Sequence, residues 1–234
     1  MKGFTKGSMN KTNTENRYVR ISSTGVHLEG LLSVPEGATG LVVFVHGSGS
    51  SRHSPRNQYV AQTLQEGGLA TLLFDLLTAS EEQIDLQTRH LRFDIDLLAK
   101  RTSGVLEWLT LHSNDYSSKI GLFGSSTGAA AALITAAQLP DRVHAVVSRG
   151  GRPDLAGPAL PKVEAPTLLI VGGNDDAVIQ LNEQALAQMQ PGENKKLMIV
   201  PGASHLFHEP GTLEHAARLA RDWFRTHLSP VNVH

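Results

Sequence analysis

The chain has 234 residues, 40% hydrophobic and 18% charged, a size and balance that suit one large apolar core or two small ones and exclude disordered and collagen-like classes. Its 21 Lys and Arg stand against 22 Asp and Glu, a formal charge of −1, so it lacks the basic bias that nucleic acid or an anionic membrane surface selects. There is no cysteine, which removes disulfides, thiolate nucleophiles and Cys-bound zinc together and leaves oxygen or nitrogen for any covalent nucleophile.

Residues 1–16 are polar, without the apolar stretch of a signal peptide or the Arg-rich pattern of a transit peptide, and read as a flexible leader. Gly7-Ser8-Met9 has the form of a cloning junction before a start at Met9, although a native leader would read the same way. No apolar run approaches the roughly 20 residues of a spanning helix. A cytoplasmic chain with neither membrane nor nucleic acid as partner is expected.

From residue 17 onward, short β-branched runs alternate with helical stretches, the pattern of parallel strands joined by crossover helices. Residues 18–23 and 26–33 alternate about Thr24-Gly25, which predicts an antiparallel hairpin. Runs at 41–45, 70–74, 119–123, 143–147, 167–171 and 196–200 are nearly continuous in apolar residues, as buried parallel strands are. Helices are expected over 55–66, 91–112, 126–138, 179–190 and 213–226, the second interrupted at Gly104; residues 79–86 read as a polar connection. There is no repeat, and the Pro-rich stretch 153–166 is too short to divide the chain, so 17–234 is read as one α/β domain with helices on both faces of a mostly parallel, eight-stranded sheet.

The strongest chemical signal is Gly124-Ser125-Ser126-Thr127-Gly128, a Gly-x-Ser-x-Gly between an apolar strand and an Ala-rich helix. A nucleophile raised on a sharp turn needs glycines two positions either side so that strand and helix can approach, which makes Ser126 the candidate; the plain alternative is a tight structural turn. A serine hydroxyl needs a base. Among eleven histidines, His205 follows the last strand at the sheet edge where Ser126 lies, with His208 as the competing base or as half of a metal pair lacking a third ligand. An acid that orients the imidazole is supplied by Asp175 or Asp176 after the seventh strand, one of which could instead cap the next helix. Asp154 is a remote candidate, and Asp75 reads as a partner of local backbone. An oxyanion needs two N–H donors, expected from Thr127 at the elbow and from Ser48 in the Gly-rich loop after the third strand, where His46 reads as a structural partner.

The order Ser126, Asp175 or Asp176, His205, carried by HGSGSS, GSSTG, VGGNDDAV and GASHLF, resembles the α/β-hydrolase superfamily, most closely its small dienelactone-hydrolase-like members, from about residue 17 to the end. The resemblance implies that fold and a triad without a cofactor. It also favours Asp175, because Gly172, Asp175 and Val178 match the Gly-x-x-Asp-x-x-Val turn in which the family's acid stands. Dienelactone hydrolases proper carry cysteine where this chain has Ser126, which moves the implied chemistry to a serine esterase acting on small or short-chain carboxylic esters. Acyl transfer, thioester or peptide cleavage by the same triad is the first alternative, and a non-catalytic binding module the second.

Only nineteen residues separate Val147 from Thr167, where related folds insert a cap, so no large cap and an open site are expected. Two basic clusters near that edge, Arg52, His53 and Arg56, and Arg149 with Arg152, are candidates for holding an anionic substrate. Metal ligation is not expected, and edge strands leave a homodimer open.

Overall fold

The computed structural model describes residues 13–112 and 118–229; the expected junction at 7–9 lies outside them. β1 (Thr14–Ser23) and β2 (Val26–Pro35) form the hairpin, turning through Thr24 and Gly25 with φ of 50° and 78°, the positive pair that a tight right-twisted hairpin turn requires. β1 starts inside the stretch expected as leader. Next come β3 (Leu41–Val45), β4 (Ala70–Phe74), β5 (Ile120–Ser125), β6 (Val143–Arg149), β7 (Thr167–Gly172) and β8 (Lys195–Val200). The eight strands lie in the order β1-β2-β4-β3-β5-β6-β7-β8, antiparallel as far as the β2–β4 pair and parallel from there on.

Side chains alternate across each strand, so β3 feeds two cores at once. Val42 and Phe44 pack with Val60 and Leu64 of α1 (Pro55–Glu66) and Phe224 of α6 (Thr212–Leu228). Val43 and Val45 face the cluster built by Leu106 of α3 (Ile95–His112), Leu133 of α4 (Thr127–Gln138) and Ala185 of α5 (Asp176–Gln188). Burying both faces is why the central strands read as unbroken apolar runs. Between β6 and β7 there is only a 3₁₀ segment, Pro153–Lys162, and no cap.

Three expectations between residues 79 and 112 are revised. Residues 79–86 are not a connection but part of α2 (Ala79–Thr88), closed by a capping box in which Thr78 Oγ1 accepts from the Glu81 amide and Thr78 N–H donates to Glu81. Its only buried residue is Asp85, so apolar periodicity had nothing to register. The stretch 91–112 is not one helix: Leu91–Phe93 is a 3₁₀ turn, because Asp85 Oδ1 accepts the amides of Leu91 at 2.8 Å and Arg92 at 3.2 Å, and α3 then starts afresh with Asp94 Oδ1 accepting from Leu97 N–H. Gly104 does not interrupt α3. It lets the helix touch β1, since a Cβ there would stand 2.2 Å from Ser23 Oγ.

Arg101, 3% exposed, donates to both Glu81 oxygens at 2.6 and 2.9 Å and to the Leu76 carbonyl at 3.0 Å. Those bonds are the main cause that holds the Glu81 carboxyl at about 2, below its usual 4.5. Glu81→Ala leaves a buried guanidinium unpaired and is expected to cost about 3 kcal/mol in urea unfolding at pH 7. A carboxyl with a depressed folded pKa contributes fully above about pH 4.5 and loses its contribution as pH falls toward 2. His46 adds an earlier step: burial keeps it neutral below its usual 6.5, so stability is expected to begin falling as pH drops past that value. Urea midpoints that stay level from pH 7 to 5 would contradict the His46 assignment.

Candidate active site

Ser126 sits between β5 and α4 with φ 51° and ψ −124°, a strained conformation for a residue with a side chain. The packing of its glycine neighbours enforces that turn. A Cβ on Gly124 would stand 2.4 Å from Ala129 Cα, and one on Gly128 2.1 Å from the Val45 carbonyl oxygen. Ser126 is thereby raised at the start of α4, whose N-terminal amides and dipole favour negative charge.

His205 lies in the loop after β8, and its Nδ1 stands 2.7 Å from Asp175 Oδ2. The carboxylate can only accept, so Nδ1 carries the proton and Nε2 is left as the basic nitrogen. Asp175 occupies the N-cap position of α5 yet makes no capping bond, which frees its carboxylate for the imidazole. The two loops are tied together: Asn174 N–H donates to the Ala203 carbonyl at 2.9 Å, and its side-chain amide to the Gly202 carbonyl at 3.0 Å. Gly150, with φ 51°, lets the end of β6 approach the histidine loop, since a Cβ there would lie 3.0 Å from the His205 carbonyl oxygen. Asp176 is exposed in the first turn of α5, and His208 is exposed away from the cavity.

Ser126 and His205 line one cavity of about 260 Å³, together with the 47–50 loop, Arg56 and Arg149. His205 is 38% exposed in its side chain, so the cavity opens to solvent at the imidazole. In the loop, His46 Nε2 accepts the Leu76 amide at 3.0 Å, which leaves its Nδ1–H to donate to the Gly47 carbonyl at 3.0 Å. With both nitrogens used, His46 is a structural brace. Ser48 N–H, expected to be a free oxyanion donor, is directed at Thr127 Oγ1 at 3.0 Å, and an incoming oxyanion would have to share or displace that bond. The Ser48 hydroxyl donates to the Arg92 carbonyl at 3.0 Å and therefore accepts from the Thr127 hydroxyl at 2.8 Å. Arg92 in turn is held by the buried Asp85. The loop thus rests on α2 and the 3₁₀ turn, a support that the sequence reading missed and that only the Thr78-x-x-Glu81 capping pattern could have hinted at.

Two of the four arginine candidates do not reach the cavity. Arg52 is paired with Asp75, which also accepts the Arg52 amide at 2.7 Å, and Arg152 is paired with Asp154 at 2.7 Å. Asp75 and Asp154 are accordingly committed to those arginines, and His53 is exposed. Arg56 and Arg149 do line the cavity, and Asn57, unforeseen from the sequence, accepts from Arg149 Nη2 at 3.3 Å.

The model of the dienelactone hydrolase family matches residues 28–228. A dienelactone hydrolase from Anabaena variabilis of known structure is 59% identical, with a TM-score of 0.88 and coverage of 92% of this chain and 98% of that one. Est1E from Butyrivibrio proteoclasticus shares the fold, with a TM-score of 0.73 at 17% identity over 90% of this chain and 98% of its own. A putative phosphoribosyl transferase from Mycobacterium tuberculosis is 56% identical over 210 residues, 90% of this chain but 46% of that protein, so the chain spans about half the length of this curated relative. With a matching model over most of its length and a relative of like size at high identity, the chain belongs to the dienelactone hydrolase family.

Proposed function

We propose that the protein is a serine hydrolase that cleaves small or short-chain carboxylic esters through an acyl-enzyme. The observation that carries the reading is the 2.7 Å Asp175–His205 contact in the wall of the cavity that Ser126 enters from its strained elbow. In the first half-reaction Ser126 Oγ attacks the ester carbonyl carbon while His205 Nε2 takes the hydroxyl proton. Asp175 holds the imidazole and stabilises its charged form. The oxyanion lies at the Thr127 amide, with the Ser48 amide as second donor once it turns from Thr127 Oγ1. Collapse expels the alkoxide, which leaves as the alcohol with the proton from His205. Water then attacks the acyl-serine by the same route and releases the acid.

A cavity of about 260 Å³ without a cap offers little apolar enclosure for a long acyl chain. The relative named a phosphoribosyl transferase has more than half of its own sequence outside the match, so its name bears on a larger molecule than the Ser126 site.

The experiment is hydrolysis of p-nitrophenyl esters from acetate to long acyl chains, with fluorophosphonate labelling. Turnover is expected to be greatest for acetate and butyrate and to fall by roughly 10-fold or more beyond about eight carbons, since each added methylene that finds no apolar wall gains nothing. Labelling at Ser126 without ester turnover would shift the reading toward thioester or amide substrates. Neither labelling nor turnover would point to a binding module.

A further inference from the structure

Arg149 is 7% exposed at the end of β6, in the wall of the Ser126 cavity, and among the described residues no carboxylate lies within 4 Å of it. One guanidinium nitrogen, Nη1, is buried with no hydrogen-bond partner; Nη2 has only the neutral Asn57 side chain at 3.3 Å. The rings of Phe123 and Phe207, each 5.9 Å from the guanidinium carbon, offer their faces to the cation but no acceptor atoms. Burial, and then the nearby charge of Arg56, push its pKa down to about 10, so the cation stands in an environment that works against it.

Arg56 compounds the imbalance. It lies in the first turn of α1, where the helix dipole disfavours a cation and where no acidic residue stands. Its Nε is buried without a partner, and it has no ion pair among the described residues. Every other arginine discussed above has an acid: Arg52 has Asp75, Arg92 has Asp85, Arg101 has Glu81 and Arg152 has Asp154. The cavity wall itself holds no Asp or Glu. Two unneutralised guanidinium groups in the one pocket that contains the nucleophile call for an anion, and two positive charges match a dianion better than a single carboxylate.

Resting on the serine-esterase reading, we propose that Arg56 and Arg149 form an anion subsite and that the ester substrate carries a phosphate monoester, which this pair holds while Ser126 attacks the carbonyl. The phosphate stays intact: the bonds made and broken are those of the carboxylic ester, and the arginines bind and orient.

Three acetate esters with the same leaving ring test this: phenyl acetate, 4-acetoxybenzoate and 4-acetoxyphenyl phosphate. The expected order of kcat/KM is phosphate above carboxylate above neutral, with the phosphate probe favoured over phenyl acetate by on the order of 10- to 100-fold. Arg56→Met should shrink that preference by at least about 10-fold, chiefly through KM, and Arg149→Lys should shrink it while retaining a cation in the wall. A variant that slows all three probes by one factor, or a wild type indifferent to the phosphate, overturns the subsite while leaving the esterase reading intact. A carboxylate probe preferred to the phosphate overturns the phosphate assignment. A second arm needs no turnover: calorimetric titration with inorganic phosphate, expected to bind wild type and to bind Arg56→Met at least about 10-fold more weakly. Binding with that difference supports the subsite even if no ester is hydrolysed, whereas equal or absent binding overturns it.

Discussion

Replacing Ser126 by Ala is expected to lower kcat for p-nitrophenyl acetate by on the order of 10⁴- to 10⁶-fold and to abolish fluorophosphonate labelling, with the thermal midpoint little changed. The change removes one oxygen and keeps the Cβ, so the strained backbone at φ 51° and the glycine contacts that enforce it are untouched. What disappears is the Ser126 hydroxyl, and with it the acyl-enzyme. A residual rate above that of water is expected, because the oxyanion donors and the cavity still bind the ester. Should the variant keep more than a few per cent of wild-type turnover, the reaction runs elsewhere in the molecule and the elbow is a structural turn.

Asp175→Asn should lower kcat by about 10³- to 10⁴-fold while the protein stays folded, and Asp176→Asn should change it by less than about 10-fold. The amide is nearly the same size as the carboxylate, so packing around the 2.7 Å contact survives. It can, however, donate to His205 Nδ1, which would place the imidazole proton on Nε2, the atom that must accept from Ser126. It also withdraws the negative charge that stabilises the imidazolium. Asp176 faces solvent in the first turn of α5, where a carboxylate gains at most a few tenths to 1 kcal/mol from the helix dipole. Measuring kcat and thermal midpoints for both variants separates the two neighbours: equal losses would mean that the 175–176 turn acts as a unit, and a larger loss in Asp176→Asn would move the acid by one residue.

The elements that the sequence predicts well are those that local rules control. The central strands are legible because burial on both faces leaves no choice but apolar residues, and α4 because its alanines follow a glycine-framed turn. The parts misread are those set by polar contacts at a distance. α2 buries only an aspartate, and the break after it exists because Asp85 reaches the amides of Leu91 and Arg92. Gly104 looks like a helix breaker in one dimension and is a contact point with Ser23 in three.

By itself the sequence determined the αβ alternation, the glycine-framed strand–turn–helix at Ser126, the order in which Ser126, Asp175 and His205 follow along the chain, and the short β6–β7 connection that leaves no room for a cap. Each follows from spacing along the chain. Only the tertiary structure decided the rest: that Asp175, which spacing alone did not separate from Asp176 and which only the resemblance favoured, meets His205; that the Ser48 amide is braced by Thr127; and that of four arginines two are neutralised by acids while Arg56 and Arg149, in the cavity, have no ion pair among the described residues. Which charges meet depends on how crossover connections stack strand ends from distant parts of the chain. At those strand ends, a shift of one residue turns a side chain from the cavity to solvent.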